Sequence, residues 1–226
     1  MHVHVAFTPA EAAASPIGIV VDVVRATSTI AQALAAGWPR VLCCAEIDEA
    51  RAVKAELGEG LLGGERDAVR VEGFDLGASP RDYVDPCDEP LILSTTNGTR
   101  AILTAAAACD EVVVGSLLNL GAVAGWARER GGDVTIVCAG YKGAFAFDDA
   151  YCAGRFVAEL DGTPTDAAVA AEILADAIPD PLDGLNARTY GLPGLEDDIA
   201  FCARESVLDV VPHYTGRVGS AAEIKR

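Results

Sequence analysis

One stretch of the chain, residues 91–103, limits the folds that this sequence can adopt. The apolar residues 91–93 predict a short buried strand, and the Ala-rich residues from 101 onwards predict a helix. The turn between them consists of Ser94, Thr95, Thr96, Asn97, Gly98, Thr99 and Arg100. A strand that turns directly into a helix is typical of layered α/β proteins.

This polar turn supplies the donors that a phosphate group needs. Backbone N–H groups and the positive end of the helix dipole point to one place, the hydroxyls add donors, and Arg100 adds a bidentate fork. Ser, Thr and Asn are also common N-caps, which satisfy the first backbone donors of a helix in any protein. For this turn alone, the two interpretations are equally good.

A second copy of the same design favours the phosphate interpretation. Residues 17–24 are apolar except for Asp22, which is typical of a strand buried on both faces. Residues 25–29 (RATST) then begin a helix that ends at Gly37. Asp22 therefore stands at the carboxyl end of a strand, where ligands bind in open α/β sheets. The repeated unit suggests two similar halves.

The wider pattern predicts the fold class. Strands and helices alternate up to about residue 160, which predicts an α/β fold of three layers, α/β/α, with a largely parallel or mixed sheet. Residues 61–80 are rich in glycine and charge and predict loops, whereas Val207–Val211 predicts a strand. With 226 residues and 51% hydrophobic content, we expect one domain over residues 1–226, or two intimately packed lobes.

Charge and cysteine usage exclude several classes of partner. The formal net charge of −17 argues against nucleic acids and anionic membranes, because both need basic patches. No apolar run approaches the ~18 residues of a membrane span, and the first residues lack the pattern of a signal peptide. The seven cysteines form no CxxC pair and no zinc spacing, so we expect free thiols in the cytoplasm. The sequence does not determine the oligomeric state, although a homodimer is common among enzymes.

Polar side chains follow several predicted strands and, in a doubly wound sheet, would share one edge. They are Asp22 and Arg25, Thr95 to Arg100, Ser116 and Asn119, and Lys142 with Asp148 and Asp149. Carboxylates without histidine or thiolate neighbours suit Mg²⁺, which completes its shell with water and substrate phosphate. This combination predicts hydrolysis or transfer of a phosphoryl group, with either a water activated by the metal or Asp22 as the nucleophile. For Asp148 and Asp149 the alternative is dipole complementation at a helix start.

Six ordered motifs carry a resemblance to one known family. They are VVDVVRATSTIAQAL (20–34), GGER (63–66), GFDLGASP (73–80), STTNGTRA (94–101), GSLLN (115–119) and CAG followed by GAFAFDDAYCAG (138–154). They resemble the motifs of the ComB family, the 2-phosphosulfolactate phosphatases, from about residue 17 to residue 155, with a weaker echo at Asp197, Asp198 and Cys202.

The resemblance implies a layered α/β fold and a specific reaction. The family is magnesium-dependent and converts 2-phospho-3-sulfolactate to 3-sulfolactate and inorganic phosphate, a step toward coenzyme M. The family more often has FSLED where this chain has FAFDD. Because Asp148 is shorter than the corresponding glutamate, Asp149 is the preferred ligand.

The residues and the resemblance together give a set of candidates. The candidate catalytic residues are Asp22, Arg25, Arg100 and Asp149. The candidate substrate-binding residues are Thr27, Ser28, Arg66, Thr95, Thr96, Asn97, Gly98, Thr99, Ser116, Asn119 and Lys142. The candidate metal ligands are Asp22, Glu65, Asp75, Asp148 and Asp149. Asp75 equally fits a structural role in a turn.

The implied substrate carries phosphate, sulfonate and carboxylate groups, so cations would have to lie close together within an acidic surface. The candidates for this role are Arg25, Arg66, Arg81, Arg100 and Lys142. Two alternatives remain. One is the same chemistry on another small anionic phosphate ester, and the other is a protein that binds a phosphorylated metabolite without turnover.

Overall fold

The protein is described here by a computed structural model that covers residues 1–189 and 193–226. In chain order, the strands are β1 (His2–Ala6), β2 (Ser15–Val21), β3 (Val41–Cys44), β4 (Leu61–Arg66), β5 (Val69–Arg70), β6 (Leu91–Ser94), β7 (Cys109–Gly115), β8 (Val134–Cys138), β9 (Thr163–Pro164), β10 (His213–Val218) and β11 (Ala221–Lys225). The helices are α1 (Ala26–Ala36), α2 (Ile47–Leu57), α3 (Gly98–Ala108), α4 (Leu120–Arg130), α5 (Phe147–Leu160), α6 (Asp166–Asp176), α7 (Pro181–Asn186) and α8 (Glu196–Cys202).

Within these described residues, eleven strands form a mixed sheet. Their order is β5-β4-β6-β3-β11-β10-β7-β2-β8-β1-β9. One parallel block contains β7, β2, β8, β1 and β9, and a second contains β4, β6 and β3. The C-terminal hairpin β10–β11 joins the two blocks by antiparallel pairing of β10 with β7 and of β11 with β3. The two blocks therefore run in opposite directions.

Helices cover both faces of this sheet. Val20 of β2 packs with α1 and α3, as do Val41 of β3 and Leu91 of β6, so these two helices cover one face of both blocks. On the other face, Ile19 of β2 packs with α4, α5 and α6, and Leu42 of β3 packs with α2. The predicted three-layer α/β fold with a mixed sheet is confirmed. The hairpin also reverses the strand direction between the two blocks, which the alternation of strands and helices did not predict.

Two local predictions also differ from the structure. Residues 61–66 form the strand β4, not a loop, because glycine permits close packing there. A Cβ on Gly63 would meet the hydroxyl of Tyr83, and a Cβ on Gly64 would meet the carbonyl of Ser94. Val207–Val211 is not a strand; instead, the N–H of Leu208 donates to the carbonyl of Leu118.

Two predictions about the organisation of the chain stay predictions. They are the number of domains and the similarity of two halves.

No helix in residues 1–189 and 193–226 is long and apolar enough to cross a membrane.

Candidate active site

The carboxyl ends of β2, β4, β6 and β8 border one cavity. Its polar lining consists of Asp22, Arg25, Glu65, Asp67, Thr95, Thr96, Asn97, Tyr141, Lys142 and Arg188. Strand ends from both blocks thus meet here, although the blocks run in opposite directions.

The N-termini of α1 and α3 bring the two blocks together at Asp22. A Cβ added at Gly98, the first residue of α3, would lie 2.7 Å from the Cβ of Ala26 and 2.9 Å from Oδ2 of Asp22. Glycine is therefore required for this approach, because it has no side chain to collide with its neighbours. The positive ends of both helices converge on one carboxylate, which makes the place suitable for an anion.

Asp22 is held in a low-dielectric setting. Its Oδ1 accepts a hydrogen bond from the N–H of Ala26 at 3.4 Å, and its own N–H donates to Oγ1 of Thr27 at 3.1 Å. Burial raises the pKa of Asp22 to about 7; the Ala26 N–H opposes this shift, while the carboxylates of Asp148 and Glu65 add to it. At neutral pH, Asp22 is thus divided between its protonated and ionised forms, and a nearby cation favours the ionised form.

Glu65 joins the ends of β4 and β6 at the cavity wall. Its Oε1 accepts hydrogen bonds from the N–H of Thr96 at 3.2 Å and from Oγ1 of Thr96 at 2.9 Å. Its Oε2 accepts from the N–H of Ala68 at 2.7 Å. Glu65 therefore orients the Thr96 turn, and it lies close enough to Asp22 to raise the pKa of that carboxyl.

Asp149 connects the turns that follow β2 and β8. Its Oδ1 accepts from the N–H of Val23 at 2.9 Å, and its Oδ2 accepts from the N–H of Gly140 at 3.0 Å. Burial, followed by the charges of Asp148 and Asp22, raises the pKa of Asp149 well above its usual range. Both of its oxygens accept backbone hydrogen bonds, so this side chain fixes two cavity turns.

Arg25 lies in the cavity wall and is anchored from behind. Its side chain is 9% exposed, and its Nη1 lies 2.6 Å from Oδ2 of Asp198 in α8. Its Nη2 donates to the carbonyl of Ala68 at 3.2 Å. Oδ1 of Asp198 accepts from Oγ of Ser79 at 2.6 Å and lies 3.6 Å from Nη1 of Arg81. These contacts set the direction in which the Arg25 guanidinium faces.

A cavity that joins carboxylates, two helix N-termini and arginines is suited to a phosphate ester. The sequence matches the model of the 2-phosphosulpholactate phosphatase family over residues 4–217. The chain belongs to this family. The predicted resemblance is confirmed, and the protein is a phosphatase, a phosphoric monoester hydrolase.

Curated relatives agree with this assignment over nearly their whole length. A probable 2-phosphosulfolactate phosphatase of Thermus thermophilus is 38% identical over an alignment of 240 positions, which includes 100% of each chain. A protein of the same name from Pseudothermotoga lettingae is 38% identical over 218 residues, covering 94% of this chain and 95% of the relative. Another, from Symbiobacterium thermophilum, is 37% identical over 221 residues, covering 92% and 94%.

Several candidate residues of this phosphatase hold the backbone around the cavity. Oγ of Ser28 donates to the carbonyl of Val23 at 2.7 Å, and Oγ1 of Thr99 donates to the carbonyl of Cys44 at 3.1 Å. Thr27 accepts from the N–H of Asp22. These hydroxyls are buried and fix the shape of the two turns.

Ser116 and Asn119 lie away from the cavity, at the end of β7. Oδ1 of Asn119 accepts from both the N–H and Oγ of Ser116, at 2.9 Å and 3.0 Å. Its Nδ2 donates to the carbonyls of Val114 and Val210, each at 3.1 Å. This pair attaches the segment before β10 to the sheet.

Arg66 and Asp75 are also outside the cavity lining. Arg66 donates to the carbonyls of Glu65 and Ala45 and to Oγ of Ser94, so its guanidinium holds strand ends together. Oδ2 of Asp75 accepts from the N–H of Leu62 at 2.8 Å and from Nζ of Lys54 at 3.1 Å. These contacts favour the structural role of Asp75.

Arg100 and Lys142 stand at the rim. Nη2 of Arg100 lies 2.8 Å from Oε1 of Glu46, and its side chain is 67% exposed. Arg100 lines a neighbouring cavity that shares Thr96, Asn97 and Lys142 with the first. Nζ of Lys142 lies 3.5 Å from Oδ1 of Asp67.

Sequence reasoning missed two cavity residues in particular. Arg188 lies just after α7, in a Pro- and Gly-rich segment with no recognised motif, and no local signal distinguishes it. Asp67 directly follows β4, in the stretch 61–80 whose glycine and charge content predicts loops. Asp198, which anchors Arg25, belongs to the weaker part of the family resemblance. The acidic residues beside Asp198 indicate only the first turn of a helix.

The cavity lining contains two carboxylates, Asp22 and Glu65, that fit Mg²⁺. Among residues 1–189 and 193–226, no three His, Cys, Asp or Glu side chains form a group that could hold a metal ion. Mg²⁺ often takes only one or two protein carboxylates and completes its shell with water and substrate phosphate. Asp22 and Glu65, which both line the cavity, meet that need.

Proposed function

We propose that this protein is a magnesium-dependent phosphatase that hydrolyses 2-phospho-3-sulfolactate to 3-sulfolactate and inorganic phosphate, a reaction of the coenzyme M biosynthesis type. The observation that carries the proposal is the convergence of the α1 and α3 N-termini on Asp22. The names of the curated relatives support the choice of substrate.

The reacting phosphate would lie against the two helix N-termini. Backbone N–H groups there donate to phosphate oxygens, and the turn at Thr95, Thr96 and Asn97 adds polar groups from the same wall. Arg25 contributes a guanidinium that Asp198 has already oriented. Such preorganised donors lower the barrier because they need not reorient as charge develops on the phosphoryl oxygens.

Asp22 and Glu65 would hold Mg²⁺. When bound, the ion supplies positive charge that neutralises the phosphoryl oxygens. Asp149 and Asp148 are assigned to positioning, because neither belongs to the cavity lining, whereas Asp22 and Glu65 do. The oxygens of Asp149 and Asp148 contact neighbouring protein groups instead.

Asp22 is the carboxylate on which both possible modes of attack depend. As a carboxylate that faces the cavity, it can take a proton from an attacking water or attack phosphorus itself. Rapid quenching and mass spectrometry of the Asp22 peptide distinguish the two, because only the second mode adds a phosphoryl group to that peptide.

The proposal is tested by phosphate release from 2-phospho-3-sulfolactate and from a panel of phosphate esters, with Mg²⁺ and with a chelator. We expect metal-dependent release that favours the sulfonated ester. Release from other esters alone would keep the chemistry and reject the substrate. Binding without release from any ester would indicate a phospho-metabolite binding protein and overturn the proposal.

Location and assembly are further parts of the proposal. All seven cysteines lie in described segments and are free thiols, which supports a reducing compartment such as the cytoplasm. A homodimer stays a prediction, to be measured by light scattering.

A further inference from the structure

A buried ion pair occupies one part of the cavity wall. Nη1 of Arg188 lies 3.4 Å from Oδ2 of Asp148, and the two side chains are 8% and 2% exposed. Charges buried to this degree are costly unless they are paired. Asp148, in the first turn of α5, therefore holds the guanidinium that arrives from the end of α7.

The other oxygen of Asp148 also has a partner. Its Oδ1 accepts from the N–H of Asp149 at 3.1 Å. Asp148 is thus engaged on both oxygens, one of them by Arg188. Asp148 is therefore the counter-ion of Arg188. This role explains why the carboxylate of Asp148 is buried here without being a metal ligand.

The three cations of the cavity differ in origin and exposure. Arg25 stands in the same turn as Asp22, beside the place proposed for the reacting phosphate. Lys142 is 60% exposed and pairs with Asp67 at the rim. Arg188 is buried, lines the same cavity and comes from an element that contributes nothing to the phosphate turns.

We propose that Arg188 binds a second acidic group of the substrate, a carboxylate or sulfonate, and thereby selects phosphate esters of acids over simple esters. This inference rests on the proposed function. A guanidinium matches the oxygens of either group in a bidentate manner, whereas a neutral substrate tail offers Arg188 no charge-assisted hydrogen bond. Selectivity follows from that difference.

The test compares wild-type protein, Arg188→Gln and Arg188→Lys on three esters. They are phenyl phosphate, with no second acidic group, 2-phospholactate, with a carboxylate, and 2-phospho-3-sulfolactate, with both acidic groups. Arg155→Gln is the matched control, since Arg155 forms a partly buried ion pair with Glu205 and does not line the cavity.

We expect Arg188→Gln to raise KM about 10- to 100-fold for the acidic ester that Arg188 recognises, with less than about threefold change for phenyl phosphate. An effect on both acidic esters assigns the carboxylate, and an effect on the sulfonated ester alone assigns the sulfonate. Equal changes for all three esters, or none, would overturn the inference. If Arg188→Gln does not fold, Arg188→Lys decides by the same substrate dependence.

A binding measurement separates this inference from the proposed function. If wild-type protein hydrolyses none of the esters, thermal stabilisation by 3-sulfolactate and by inorganic phosphate is compared. Loss of only the 3-sulfolactate effect in Arg188→Gln supports the inference while the proposed function fails. No stabilisation of wild-type protein by 3-sulfolactate, or retention of its effect in the variant, overturns the inference.

Discussion

Nη1 of Arg25 lies 2.6 Å from Oδ2 of Asp198, although 173 positions separate the two residues in the chain. The ion pair is buried, with side chains 9% and 7% exposed. Through it, a helix near the C-terminus of the chain orients a cation in the turn that follows β2.

Asp198→Asn should therefore lower activity through Arg25. We expect kcat/KM for the phosphate ester to fall about tenfold, because the asparagine keeps the shape but loses the charge-assisted bond. In an Arg25→Ala background the same change should have little further effect, as coupled residues are not additive. Glu205→Gln, which alters the Arg155 pair outside the cavity, should leave kcat/KM within about twofold. Additive losses in the double variant would contradict the prediction.

Asp22→Asn should abolish activity and stabilise the fold at alkaline pH. We expect kcat to fall at least about 10³-fold, since the residue takes part in attack on phosphorus. The pKa of Asp22 is raised to about 7 from its ordinary value of 3.8. The contribution of protonated Asp22 to the stability of the fold is therefore complete below pH 3.8 and is lost as the pH rises through 7.

Denaturation in urea with a chelator, at pH 5 and pH 8, measures this effect. Asp22→Asn should exceed wild-type protein in stability at pH 8 by on the order of 2 kcal/mol, and by less at pH 5. Asp75→Asn is the control, and it should be less stable than wild-type protein, because the N–H of Leu62 lowers the pKa of Asp75 and so favours its ionised form in the folded state. An equal difference at both pH values for Asp22→Asn would refute the assignment.

Gly98→Ala should damage both stability and activity. The added Cβ would lie 2.7 Å from the Cβ of Ala26, so the N-termini of α1 and α3 must move apart. We expect a loss of about 1–3 kcal/mol in the free energy of unfolding and a marked fall in kcat/KM. Gly125→Ala, in α4, is the matched control, because its Cβ would meet nothing within 4 Å and alanine favours a helix. A Gly98 variant as stable as the control would contradict the close packing.

Arg25→Ala and Arg100→Ala should differ strongly in their kinetics. Arg25 lines the main cavity, and removal of its guanidinium should lower kcat/KM by about 10²–10³-fold. Arg100 is 67% exposed and pairs with Glu46 at the rim, so its removal should change kcat/KM less than about threefold. Initial rates over a range of substrate concentrations measure both. A loss with Arg100→Ala as large as that with Arg25→Ala would return Arg100 to the catalytic set.

The local units of this protein could be read from the sequence. As the sequence predicts, Gly37 ends α1, and it does so in the left-handed conformation, with φ of 105°. The two polar turns do open helices, and both face one cavity. Such features depend on neighbours within a few residues, so hydrophobic spacing and turn chemistry record them.

The sequence pattern could not reveal the direction of the sheet. The hairpin β10–β11 is the last element of the chain, yet it lies in the middle of the sheet and reverses the sense of one parallel block. Strand pairing of this kind is decided by contacts between distant segments. Alternation of strands and helices by itself predicts neighbours that run parallel.

By itself, the sequence determined the α/β class, the strand-turn-helix units around Asp22 and Thr95, and the family. Only the tertiary structure decided which polar side chains face the cavity. It directs Arg66 and Asp75 to structural contacts, engages both oxygens of Asp149 with backbone, and brings Arg188 and Asp198 to the site. The reason is physical: residue types and spacing specify local conformation, whereas the partner of a buried charge is chosen when remote segments pack together and must neutralise it.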